Sequence, residues 1–112
     1  MTTANASPVV RQTRHSLGVS RRVFSRLTGY SERSIAAWES GRSLSPKSRQ
    51  RILEIQRLQK ALANVIEADS IREWLDTPNP AFDGLKPLEV IERGEIDRIW
   101  RMVFLLDSGV PS

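Results

Sequence analysis

The sequence predicts an all-helical protein, and three observations carry that prediction. Apolar residues recur at spacings of three and four from about Pro8 to Gly109. No period-two run lasts more than a few residues, and the Asp83-Gly84 pair lies in the polar, proline-bearing stretch TPNPAFDG, which reads as a loop. Hydroxyl residues and glycines bracket the periodic segments where helices begin and end.

Taken in order, residues 1–8 are small and polar and are expected to form a loose tail. Ser20 is placed to cap a segment carrying Val23, Phe24 and Leu27, which Gly29 ends. Ser31 caps the next, with Ile35 and Trp38 inward, and Gly41 closes it. Ser45 followed by Pro46 is a strong start, since proline fits the first helical position. From there Ile52, Ile55, Leu58, Leu62, Val65 and Ile66 predict a long helix to about Ala68. Ser70-Ile71-Arg72-Glu73 has the form of a capping box opening a short helix with Trp74 and Leu75. A further short helix spans residues 87–93, and a last one spans residues 95–107. Ile96, Ile99, Trp100, Val103 and Leu106 share one side of the last helix.

Composition narrows the function. The chain has 112 residues, no cysteine and one histidine, His15. That excludes a disulfide framework, a thiolate nucleophile and a zinc finger. The glycines read as helix ends, with no phosphate-cradling loop. The longest apolar run, residues 102–106, is far short of the ~20 residues that cross a bilayer. With no signal sequence evident, a cytoplasmic protein without enzymatic activity, cofactor, metal or membrane partner is expected. The net charge of +4 hides an asymmetry: residues 1–60 balance at +9 and residues 61–112 at −5. Two halves of opposite sign imply either two different partners, one a polyanion, or attraction between the halves themselves.

The basic half carries a specific spacing. In SRRVFSRLTGYSERSIAAWESG, a helix of about eight residues meets a tight turn at Thr28, Gly29 and Tyr30, and a second helix begins at Ser31. Small residues at Ser25 and Ala36 allow close approach. Phe24, Leu27, Tyr30, Ile35 and Trp38 are expected to form the wedge between the helices. With Ser20, Phe24-Ser25, Gly29, Ile35 and Trp38-Glu39-Ser40-Gly41, the segment resembles the Xre-type, phage-repressor-like helix-turn-helix family. The resemblance implies a second helix in the major groove of double-stranded operator DNA, with Ser31, Glu32, Arg33, Ser34 and Ala37 toward base edges. Arg33 is the leading base reader, because arginine can hold guanine through two bonds. Arg21, Arg22 and Arg42 would meet phosphates, with Arg11, Arg14 and Lys47 extending the basic face. Position 37 often bears a long polar side chain in that family, so alanine here implies sparse readout. Palindromic operators imply a homodimer. The Ile55, Leu58, Leu62, Val65 stripe is its seam, part of the chain's own core, or both.

The acidic half is three short helices rich in apolar residues. Phe104 and Leu105 fall off the inward stripe of the last helix, which makes that helix apolar on more than one side and implies a binding partner. Trp74-Leu75, Thr77-Pro78-Asn79-Pro80, Gly84, Pro87-Leu88-Glu89, Gly94-Glu95 and Gly109 resemble, in order and spacing, the toxin-binding domain of the Xre, MbcA and ParS antitoxins. That resemblance implies an antitoxin which sequesters and obstructs a RES-fold, NAD-consuming toxin and represses their shared operon. The toxin-facing candidates are Arg98, Arg101, Phe104, Leu105, Asp107, Val110 and Pro111. The implied organisation is a tail at 1–8, a DNA-binding domain with its connecting helix at 9–68, and a toxin-binding domain at 69–112. The homodimer would sit within a larger toxin–antitoxin complex. An alternative is a stand-alone repressor whose C-terminal half serves oligomerisation or regulation.

Overall fold

The structure is a computed structural model that describes residues 7–109. Its described residues form seven α-helices and two 3-10 turns, with no strand. The helices are α1 (Ser7–Leu17), α2 (Arg21–Thr28), α3 (Glu32–Glu39), α4 (Pro46–Leu62), α5 (Ile71–Leu75), α6 (Pro87–Glu92) and α7 (Ile96–Asp107). They fall into two compact units, one up to Gln59 and one from Lys60, with α4 continuous through the boundary.

In the first unit α3 packs on α1 and α2. Val10 and Leu17 of α1, Phe24 and Leu27 of α2, and Ile35 and Trp38 of α3 are buried. Tyr30 is half-buried and meets the Trp38 ring edge-on, with centroids 5.2 Å apart. The caps are those the sequence predicts. The Ser20 hydroxyl accepts from the Val23 N–H and the Ser31 hydroxyl from the Ser34 N–H. The Ser45 hydroxyl accepts from the Ser48 N–H at the head of α4. Between α2 and α3 the Ser25 hydroxyl donates to the Tyr30 carbonyl at 2.6 Å, which fixes the turn. Arg51 on α4 donates to the Leu27 and Thr28 carbonyls, so a cation closes the negative end of α2. Thr13, on the inner face of α1, is 1% exposed, and its hydroxyl has no hydrogen-bond partner. Thr13→Val keeps the shape and removes that desolvated oxygen. It is expected to raise stability by about 1 kcal/mol, measured as the shift in a denaturant midpoint at unchanged slope.

In the second unit α6 packs on α5 and α7. Ile71, Leu75, Phe82, Leu88, Val90, Ile91, Ile96, Ile99 and Val103 form its core. The Glu89 carboxylate accepts from the Lys86 N–H, and Pro87 occupies the first position of α6, where its missing donor costs nothing.

Several boundaries differ from expectation. Ser7 and Pro8 belong to the first turn of α1 instead of the tail, while residues 1–6 lie outside the described residues. The turn before α3 begins at Gly29, since Thr28 is still helical. The long helix stops at Leu62, not near Ala68. Asn64, Val65 and Ile66 hydrogen-bond back to Ala61 and Leu62 in tight turns, and asparagine followed by two β-branched residues favours leaving the helix. Ser70 makes no side-chain cap. Residues 68–70 form a 3-10 turn running straight into α5, so Ser70 is in helical conformation and lacks the extended backbone that a cap requires. Ile55, Leu58 and Leu62 are each 3% exposed or less and belong to the chain's own core, while Val65 is half-buried beyond the end of α4, so the four do not form an open helical seam.

Candidate functional site

The α2–turn–α3 element offers one surface. Three arginines from α1 and α2 converge on the C-terminal end of α3. The Glu39 side chain is 1% exposed. Arg14 holds it through Nε to Oε2 at 2.7 Å and Nη2 to Oε1 at 3.1 Å. Arg21 adds Nε and Nη2 to Oε1 at 2.9 and 2.8 Å, and Arg11 donates to the Glu39 backbone carbonyl at 2.6 Å. Burial pushes the Glu39 carboxyl up, but the bonds and charges of Arg14 and Arg21 outweigh it and hold the carboxyl below its ordinary value. Beyond Glu39 the chain closes α3 through Gly41, at φ 116°. The Gly41 N–H bonds the Trp38 carbonyl and the Arg42 N–H bonds the Ala37 carbonyl, a doubled glycine stop. The far end of α3 is therefore clamped, and its first turn stands free.

At that free end Glu32 and Arg33 are exposed, Ser31 is exposed as the cap, and Ser34 is half-buried; Ala37, also half-buried, lies toward the clamped end. The Ser31 hydroxyl also donates to the Ser34 hydroxyl at 3.1 Å, so both serines are partly occupied within the helix start. Arg22, Arg42 and Lys47 are exposed, with no ion pair among the described residues. Arg14 is different: its guanidinium is spent on Glu39 and on the Val19 carbonyl. Arg21 shares that work, although its side chain remains 47% exposed.

The second surface lies on α7. Ile96, Ile99 and Val103 are buried, and Trp100 is half-buried. Phe104, Leu105 and Leu106 are 71%, 46% and 54% exposed. The sequence places Leu106 on the inward stripe, and the structure corrects that. The six residues of α6 span about 9 Å and the twelve of α7 about 18 Å, so the last turn of α7 outruns its support. Arg101 and Asp107 are exposed on the same turns, and Val110 and Pro111 lie outside the described residues. Arg98 works internally: Nη2 bonds Asp83 and Nη1 bonds Glu95, each at 3.1 Å, and its guanidinium lies 5.7 Å from the Phe82 ring centre. Trp74 meets the same ring edge-on at 6.4 Å. These contacts fix the loop between α5 and α6 against α7. Within that loop the Asn79 side chain caps the turn 80–82, and Asp83 takes the left-handed conformation at φ 57°. Arg98 was legible as a charge, but its loop partners were not.

No group of three or more His, Cys, Asp or Glu among the described residues is placed to hold a metal, and none of their helices is long and apolar enough to cross a membrane. What the chain presents is a clamped helix-turn-helix and a separate helical unit with an uncovered apolar end, an architecture of binding surfaces. The family profile described as the antitoxin Xre/MbcA/ParS C-terminal toxin-binding domain matches residues 61–101. The mycobacterial cidal antitoxin MbcA of Mycobacterium bovis and of Mycobacterium tuberculosis is 30% identical over 81 residues, covering 71% of this chain and 72% of the relative. The chain belongs to the Xre/MbcA/ParS antitoxin family. Its fold is that found in the crystal structure of the M. tuberculosis MbcT–MbcA toxin–antitoxin complex, with a TM-score of 0.79 at 24% identity over 98% of this chain and 100% of that one.

Proposed function

We propose that this antitoxin neutralises a RES-fold, NAD-consuming toxin by seating its C-terminal unit over the toxin's active site, and represses the operon encoding both in the cytoplasm. The observation that carries the reading is the uncovered apolar end of α7, within a unit of the kind the family profile describes as toxin-binding. Phe104, Leu105 and Leu106 leave apolar surface around the end of α7 that water disfavours and a partner would cover. The repressor half rests on the free first turn of α3 and on exposed cations of the same unit with no ion pair among the described residues, Arg22, Arg42 and Lys47, which suit the phosphates flanking a major groove. Two copies on a palindromic operator complete the reading, joined through a surface other than the α4 stripe.

Growth under induction of the protein encoded in the adjacent reading frame tests the toxin half. Co-expression of this chain is expected to restore growth, and Phe104→Asp to abolish rescue while leaving the protein folded. Rescue undiminished by Phe104→Asp would count against the α7 surface.

A further inference from the structure

Between α7 and the loop that follows α5 lies an open groove of about 310 Å³, lined by Ala81, Phe82, Arg98, Arg101, Met102 and Leu105. Its two cations differ in kind. Arg98 is consumed by Asp83, Glu95 and the Phe82 ring, so it braces the wall and offers little charge to a visitor. Arg101 is exposed and has no ion-pair partner among the described residues. The groove thus combines apolar walls with a single uncompensated guanidinium, and Leu105 connects it to the exposed Phe104 and Leu106.

We infer that this groove receives a segment of the toxin in which an apolar side chain stands next to a carboxylate. The apolar side chain packs against Ala81, Met102 and Leu105, and the carboxylate pairs with Arg101. A guanidinium presents parallel N–H donors that match a carboxylate, and the pair strengthens once the surrounding apolar surface excludes water. Arg98, by holding the loop as one wall, is a positioning residue for this contact. The toxin is favoured over a second copy as occupant because the family match described as toxin-binding covers the loop wall and both arginines. The inference rests on the toxin-neutralising reading and makes the contact reciprocal, since the antitoxin accepts a piece of its partner as well as covering it.

The test is calorimetric titration of the full chain against the purified protein encoded in the adjacent reading frame. Arg101→Glu and Leu105→Asp are each expected to weaken binding about 100-fold, and Arg101→Lys by about 10-fold or less. Both positions are exposed, and unchanged helical content by circular dichroism confirms the fold of each variant. In a scan of the toxin's Asp and Glu residues, one alanine substitution is expected to cost wild type about 10-fold and Arg101→Ala nothing. Wild-type binding with both Arg101→Glu and Leu105→Asp within threefold of it overturns the groove. So does self-association of the chain that either variant abolishes while toxin affinity stays unchanged. Failure of the wild type itself to bind overturns the toxin-neutralising reading first, and the two failures are distinguishable.

Discussion

Glu39→Ala is expected to destabilise the first unit by about 3 kcal/mol, at the low end for breaking a buried ion pair because Arg21 can turn its charge into water while Arg14 cannot. Loss on that scale is large against the 5–15 kcal/mol or so that holds a typical domain together. Denaturant unfolding followed by fluorescence, with Trp38 next to the site, measures it. Glu39→Gln is expected to lose most of the same stability, since the amide keeps the shape and gives up the charge. The pH dependence has a definite sign. The folded carboxyl titrates below its ordinary value of 4.5, so the carboxylate's contribution is fully present above about pH 4.5 and fades as pH falls through the folded value. Wild type and Glu39→Ala should therefore converge in stability toward acid pH. A constant gap down to acid pH would place the effect in packing instead of charge.

Arg33→Ala is expected to weaken operator binding by about 1–3 kcal/mol, roughly 5–150-fold, and to relax preference at one base pair. Glu32 and Arg33 are the long polar side chains exposed on the free first turn of α3; Ser31 and Ser34 are bonded to one another and Ala37 has no polar atoms to offer. Toxin neutralisation should be untouched, because position 33 and the α7 surface belong to different units. The same geometry predicts a modest salt dependence. With Arg11 and Arg14 engaged at Glu39 and Arg21 partly so, Arg22, Arg42 and Lys47 remain for phosphates. Three contacts per copy give a log–log slope near about −3, against about −5 if all six cations reached phosphates. Titration of a fluorescent operator at several salt concentrations separates the two.

Local chemistry made most of the fold legible. Ser20, Ser31 and Ser45 each supply a capping hydroxyl at a helix start, and Gly29, Gly41 and Gly94 each sit at a helix end with positive φ, so the helices could be bracketed from neighbours in sequence. The differences arise where a second local signal competes with periodicity or where partners lie far away in the chain. Val65 and Ile66 continue the spacing of α4 faithfully, yet the backbone leaves the helix at Leu62. Leu106 has the right phase to be buried and lacks only a neighbour to cover it. Glu39 shows the limit most clearly. The motif Trp38-Glu39-Ser40-Gly41 marks its position, but its partners lie 25 and 18 residues back in the chain. Arg98 is legible as a toxin-facing candidate, but not its tie to Asp83, 15 residues away, which holds the loop to α7. The exposed Phe104 and Leu105 were legible because they broke a periodic pattern, and a broken pattern is a local signal.

If the C-terminal unit blocks a NAD-consuming toxin, the rate of NAD consumption by the purified toxin falls as this chain is titrated in. The expected result is a fall to background at saturating antitoxin, shared by Arg33→Ala and lost with Leu105→Asp. A toxin that keeps its full rate under a large excess of the wild-type chain would contradict the account.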